Sequence, residues 1–455
     1  MSNEPAKPDG NRRRPNVIVF FTDQQRWDSM GAHGNPLGLT PHLDRLAREG
    51  TFLAGACTPQ PICGPARACF QTGLHATAHG TFINPIPLNP ELPTLAGLFA
   101  AAGYRTGYIG KWHLGPSDCA GPVAPEYRGG YQDWLASNLL EMVSGPCDCR
   151  VHDGDGREVR LPGYRSDAIT DAAIRYVDCH ADEPFFLFVS QLEPHHQNQV
   201  DGCPAPIGGD CPDPWMPPDL RALGGNAARS LPGYWGMIRR LDEGFGRLLD
   251  ALESRGLRDD TVVLFTSDHG CHFKTRNGEY KRSCHESSVR IPAVLAGPGF
   301  DGGGGIRRPV SLLDFPPTLL TAAGIEPPED WHGRPLQPLL GGRDAPNWPR
   351  EVFIQLSEAE LGRALRTERW KYGVVDATGR DPVTDDHSSA YLETHLYDLK
   401  YDPYELDNLA GLESHREVAD DLRARLLRQI RRIERREPEI RPASPRDGGQ
   451  RRPLP

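Results

Sequence analysis

The sequence predicts an α/β fold built on a mostly parallel central sheet, and three features carry that expectation. Short, unbroken apolar runs rich in β-branched and aromatic residues recur along the first two thirds of the chain, as in strands buried on both faces. Segments with helical spacing alternate with them, the order that joins parallel strands by crossovers. Four of the runs end on polar, chemically capable residues, and ligands of such sheets bind beyond the carboxyl ends of the strands.

In order, residues 17–21 lead into Thr22, Asp23 and Gln24, and residues 104–109 into Gly110, Lys111, Trp112 and His113. Residues 185–189 lead to Glu193, Pro194, His195 and His196, and residues 262–265 to Ser267, Asp268, His269 and Gly270. Between them Pro41 opens a helix that Gly50 closes, and a helix over 93–102 stops at Gly103. The spacing of Ile169, Ala172, Ala173 and Tyr176 predicts a helix over 166–179. A longer one over 234–255 buries Leu241, Phe245, Leu248, Leu249 and Leu252. The glycine run 302–305 predicts a flexible loop.

After about residue 345 the texture changes. Residues 352–356, 364–366 with 370–372, and 394–399 predict a small antiparallel sheet. A helix follows, with Ser414 and Glu417 as capping box and Val418, Leu422, Leu426, Ile430 and Ile433 as apolar stripe. The expected organisation is a disordered N-terminus over 1–15, a large α/β domain over 16–345, a C-terminal subdomain over 346–437 and a disordered Pro/Arg-rich tail over 438–455.

Composition narrows the function. The 455 residues are 38% hydrophobic and 25% charged, enough apolar material for a sizeable core. No run approaches the length of a membrane span, and the run 17–21 is too short for the core of a signal peptide, so a cytoplasmic protein without membrane contact is expected. A net charge of −10 argues against a nucleic-acid partner. In that compartment the 11 cysteines default to reduced thiols, and the spacing of Cys147, Cys149, Cys203 and Cys211 matches no zinc module.

The stretch Cys63-Gly64-Pro65-Ala66-Arg67, followed by Thr72-Gly73, resembles the signature of the type I, formylglycine-dependent sulfatases. Six further motifs follow that family's order. They are Thr22-Asp23-Gln24-Gln25; Gly103 to Thr106 with Gly110-Lys111-Trp112-His113; Pro194-His195; Ser267-Asp268-His269-Gly270; Lys281 ahead of Glu286 and Arg290-Ile291-Pro292; and Leu396-Tyr397-Asp398-Leu399 with Asp402-Pro403 and Asn408-Leu409-Ala410. Departures are Gln24 in place of a second acid, His269 where some members carry Asn, Gln71 in place of an aliphatic residue, and His196 without the usual second proline.

Each residue also has a structural reading. Asp23 and Asp268 suit helix N-caps, His113 and His195 suit hydrogen-bonded loop histidines, Arg67 suits a helix surface charge, and Cys57, Cys69, Cys271 and Cys284 suit plain core thiols. Two acids ending two apolar strands favour a metal over two caps. Lysine is rare in this arginine-rich chain, which singles out Lys111 and Lys281.

The resemblance implies an alkaline-phosphatase-like fold and hydrolysis of a sulfate monoester or, less in keeping with the motifs, a sulfamate. It implies that a maturation enzyme oxidises Cys63 to formylglycine, whose hydrated aldehyde is the nucleophile. One divalent cation, Ca²⁺ before Mn²⁺ or Mg²⁺, would be held by Asp23, Gln24, Asp268, His269 and residue 63. Arg67 and Lys111 would hold the diol, Lys111 and Lys281 neutralise the sulfuryl oxygens, His195 or Lys281 protonate the leaving alcohol, and His113 act as base for release of sulfate. Three alternatives stay open: a phosphodiester or phosphonate monoester hydrolase of the same superfamily, a sulfuryl transferase, and a non-catalytic binding protein. The sulfated substrate and the oligomeric state have no readable code in the sequence.

Overall fold

The computed structural model describes residues 14–195, 215–342 and 345–446. In chain order the strands are Asn16–Thr22 (β1), Thr51–Leu53 (β2), Ala56–Cys57 (β3), Arg105–Lys111 (β4), Asp133–Ser137 (β5), Cys149–His152 (β6), Glu158–Leu161 (β7) and Phe185–Ser190 (β8). Then come Thr261–Ser267 (β9), Ala293–Ala296 (β10), Gly304–Ile306 (β11), Val310–Ser311 (β12), Glu351–Leu356 (β13), Gly362–Thr367 (β14), Trp370–Asp376 (β15), Ala390–Asp398 (β16) and Glu439–Arg441 (β17).

Ten of them form one sheet in the order β11-β2-β10-β9-β1-β8-β4-β5-β6-β7. The five central strands β9, β1, β8, β4 and β5 are mutually parallel, and antiparallel pairing is confined to the flanks at β10 and at β6–β7. Their continuous apolar sequences follow from that position: every residue of β1, β8 and β9 is buried. Alternate side chains feed two cores, Val17, Val19 and Phe21 on one face and Ile18 and Phe20 on the other. The helices Pro41–Glu49, Arg165–Cys179 and Ala227–Ser254 cover the second face. The second sheet, β13-β14-β15-β16-β17, packs its own core against the helix Arg416–Glu434.

Several expectations need correcting. Glu439–Arg441, assigned to the disordered tail, pairs in parallel with Ala390–Leu392 as an edge strand. The glycine run expected as a flexible loop supplies β11, which pairs with β2. The long helix starts at Ala227 and carries Pro232 as its sixth residue, where one backbone hydrogen bond of the ladder is lost. Ser414 and Glu417 form no capping box: Ser414 sits in a 3₁₀ turn and its hydroxyl meets His415 Nδ1 at 2.9 Å. No disulfide joins the cysteines of the described residues. Cys203, Cys211 and His196 lie outside the described residues. No described helix is long and apolar enough to cross a membrane.

Candidate active site

Parallel register brings the chemistry together. β1 lies between β8 and β9 with Thr22 opposite Ser267, so Asp23 and Asp268 leave adjacent strand ends side by side. β4 is the next strand beyond β8 and delivers Lys111 and His113. Gly110 has φ 111°, and a Cβ there would meet Ser190 O at 1.9 Å, so only glycine lets β4 approach β8 this closely.

Cys63 is the first residue of the buried helix Cys63–Thr72, which points its N-terminus at the strand ends. Arg67, one turn on, shares its face. Thr72 and Gly73 have a structural role: the Thr72 hydroxyl donates to Ala68 O at 2.7 Å, and Gly73, at φ 65°, closes the helix. Gln71 is buried and accepts a hydrogen bond from Tyr131 OH at 3.1 Å, which accounts for a polar residue there.

Around Cys63 Sγ stand Lys281 Nζ at 2.8 Å, His269 Nε2 at 3.3 Å and Asp23 Oδ1 at 3.5 Å. Lys281 Nζ also lies 3.4 Å from His195 Nε2. Arg67 Nη2 is 3.1 Å from Asp23 Oδ2 and 3.3 Å from Asp268 Oδ2, while its Nη1 donates to Lys111 O and Ser190 Oγ. Lys111 Nζ bridges Asp23 Oδ2 at 2.8 Å and Glu141 Oε1 at 3.0 Å, and His113 Nδ1 lies 3.9 Å from the same Glu141 oxygen. Every one of these side chains is buried or nearly so.

Charge follows from this crowding. Burial opposes the Cys63 thiolate, but Lys111, Lys281 and His269 overcome it and hold the thiol well below the ordinary cysteine range. Burial and the Cys63 thiolate work against the Asp23 carboxylate, yet Lys111, His195 and Arg67 hold it below its ordinary value. Burial and the neighbouring Asp23 push Asp268 up to about 6. Burial disfavours the Lys111 ammonium, and Asp23, Cys63 and Glu141 reverse that and raise it. Burial pulls His195 down.

Asp23, Cys63, Asp268 and His269 form a candidate cation site, with one ligand atom from each within 4.8 Å of all the others. Two observations fit a cation. Asp268 Oδ2 is buried and makes no hydrogen bond, its one ion-pair contact being Arg67 Nη2 at 3.3 Å. His269 Nδ1 is tied to Gly270 O at 2.9 Å, which leaves Nε2 facing the cluster. Gln24 sits at φ 67° with its main chain committed, N–H to Asp268 Oδ1 and C=O to Tyr234 OH.

Sequence reasoning missed Glu141, Ser190 and Tyr234. Glu141 stands on the four-residue helix Leu140–Val143, where no periodicity or motif marks it. Ser190, the last residue of β8, was legible as a polar residue ending an apolar run. Arg26 is wholly buried between Asp28 and Asp219, and Glu193 is spent on a buried ion pair with Arg165 at 2.7 Å.

The family model described as "Sulfatase" matches residues 15–325, and one described as "N-sulphoglucosamine sulphohydrolase, C-terminal" matches 278–432. An ulvan-active sulfatase of Formosa agariphila is 30% identical over 92% of this chain and 81% of its own. A structure solved in a study of glycosaminoglycan metabolism by Bacteroides thetaiotaomicron superposes with a TM-score of 0.80 at 23% identity, covering 93% of this chain and 97% of that one. The phosphonate monoester hydrolase of Agrobacterium radiobacter superposes with a TM-score of 0.71 at 23% identity, covering 92% and 96%. At such identity these two structures speak for the fold alone.

Proposed function

The chain belongs to the sulfatase family and is a sulfuric ester hydrolase, and from that premise we propose that it cleaves a small sulfate monoester with a nucleophile made from Cys63. The observation that carries the reading is the convergence of Lys281, His269 and Asp23 on Cys63 Sγ. In the matured enzyme, residue 63 is formylglycine and its Cβ carries oxygen where this chain has sulfur; the hydrated aldehyde supplies a hydroxyl nucleophile and a second hydroxyl through which sulfate is later released.

Asp23, Asp268, His269, Gln24 and residue 63 would hold one divalent cation, which supplies Lewis acidity and orients the sulfate. Oxygen-rich ligation favours Ca²⁺, and the one imidazole nitrogen keeps Mn²⁺ acceptable alongside Mg²⁺. Arg67 fixes the Asp23 and Asp268 carboxylates and is itself braced by Ser190. Lys111 and Lys281 stand as fixed cations against the charge that grows on the sulfuryl oxygens. Either Lys281 or His195 gives a proton to the departing alcohol, a reading supported by the 3.4 Å between Lys281 Nζ and His195 Nε2. His113 takes the proton when sulfate leaves, its Nδ1 on the side of Glu141.

Peptide mass spectrometry across residue 63 of active protein, made with the formylglycine-generating maturation enzyme, tests this. Uniformly unmodified cysteine in fully active protein overturns it. The second reading is phosphonate monoester or phosphodiester hydrolysis, the first being the activity named for the Agrobacterium radiobacter enzyme that shares this fold. Turnover of an aryl sulfate against an aryl phosphonate, at matched concentrations, decides between them.

A further inference from the structure

Beside the junction between the free edge of the large sheet and the small sheet lies a cavity of about 730 Å³. None of the residues around Cys63 lines it. Its wall carries Trp27, Arg290, Arg307, Arg366, Arg369 and Lys400. Arg366 comes from β14, Arg307 follows β11, and Arg290 follows the short helix Glu286–Val289.

Arg366 is only 5% exposed. Its Nε and Nη2 reach Glu286 at 3.4 and 3.1 Å, and its Nη1 is buried with no hydrogen-bond partner. A guanidinium N–H in that state is a donor awaiting an acceptor, since burial without a bond forfeits its hydration. Arg290 is already fixed: Nε and Nη2 donate to Ala54 O at 3.1 and 2.7 Å, and its guanidinium lies 3.8 Å over the Trp27 ring. Its remaining nitrogen, Nη1, is 3.9 Å from Glu286 Oε2, beyond a good hydrogen bond.

The charges do not balance. Glu286 and Glu405 are shared among buried Lys371 and Arg366 and half-buried Arg290, two carboxylates for three cations, with Asp28 adding a smaller attraction on Arg290. At the rim Arg369 is matched by Asp398 at 2.8 Å, while exposed Arg307 and Lys400 face Glu368 alone among the lining residues. Rigid, pre-oriented guanidinium groups with an excess of positive charge select an oxyanion over a neutral ligand.

We propose that this cavity is a second sulfate-binding site, apart from the catalytic centre, in which Arg366 Nη1 and Arg290 Nη1 receive the oxyanion and Arg307 closes on it from the rim. The sulfate has two possible sources, the inorganic ion that the reaction releases or a second ester group on a multiply sulfated substrate. Both present the same tetrahedral oxyanion.

Calorimetric titration of the intact protein with inorganic sulfate at constant ionic strength tests the site without reliance on turnover. The expected result is two sulfates per wild-type chain and one in Arg366→Gln and in Arg307→Ala. The second variant is exposed and keeps the test valid if loss of the Glu286 partner unfolds the first. Crystals soaked in selenate should show anomalous density at Arg366. A single sulfate in the wild type, or second-site density elsewhere, overturns the proposal. Kinetics then tell the sources apart while KM for a monosulfated aryl ester stays unchanged in Arg307→Ala. Loss of a non-competitive component of sulfate inhibition marks the released ion, and a higher KM confined to a disulfated substrate marks the second ester.

Discussion

Two groups of ligand-type side chains, each gathered from distant parts of the sequence, differ in their electrostatics. Asp23, Cys63, Asp268 and His269 meet at the carboxyl edge of the large sheet, and Cys284, His285 and His395 meet against the small one; in both, ligand atoms fall within 4.8 Å of one another. In the second group each imidazole has a neutral partner, His285 with Ser283 Oγ and Tyr397 OH at 3.2 Å, His395 with Thr394 Oγ1 at 2.8 Å. Burial raises the Cys284 thiol and, with Arg276 close by, lowers both histidines, His395 to about 4. All three groups therefore sit neutral. At Cys63 the same burial is overcome by Lys111, Lys281 and His269. Proximity of ligand types does not make a reactive site; charged neighbours that hold them ionised do.

The largest effect should separate the two cysteines. Cys63→Ser should lower sulfate release from an aryl sulfate by at least about 10⁴-fold, the scale of losing a nucleophile. Cys284→Ser should stay within about twofold in rate, its cost being stability, on the order of 1 kcal/mol. Equal inactivation in two folded proteins would break the contrast. Next, Asp268→Asn should lose most bound metal and about 10³-fold in rate, whereas Cys284→Ala should keep its metal. Elemental analysis by plasma mass spectrometry on both variants reads this directly.

Among the lysines, Ala at Lys111 or Lys281 should cost roughly 10²–10³ in rate, as for loss of one transition-state donor. Arg at Lys281 should not restore it, because a guanidinium holds its proton at neutral pH. Lys371→Met should instead lower Tm while kcat changes little, since it removes the buried ammonium that pairs with both Glu286 and Glu405.

The smallest of these effects falls on Glu141, for which Gln should cost roughly 10–100-fold, the scale of losing a supporting partner. Burial raises its carboxyl, but Lys111 and His113 outweigh that and hold it at about 2 against an ordinary 4.5. Between those values the unfolded chain binds more protons than the folded one. The pair's stability is thus complete above pH 4.5 and lost as pH falls toward 2. It is on the order of 3 kcal/mol. Glu141→Gln should flatten the fall of Tm between about pH 5 and pH 3; an unchanged slope would detach Glu141 from Lys111.

The sequence by itself determined what local pattern can encode. Apolar runs buried on both faces marked β1, β4, β8 and β9, and their polar ends marked Asp23, Lys111 and Asp268, because strand burial constrains each residue independently of its distant neighbours. Cys63 and Arg67 were legible as a motif one helical turn apart. The tertiary structure alone decided the rest. Glu141 gains its role only because β5 lies beside β4 and ends next to Lys111. The three residues of β17 are too few to show a pattern and are ordered by the free edge of β16. The Ser414–Glu417 pattern matches a capping box, yet the chain enters the helix through a 3₁₀ turn and the bond is never made. Whether a buried thiol is charged or neutral was beyond the sequence as well, since Coulomb interactions sum over groups that only the packed chain brings within a few ångströms.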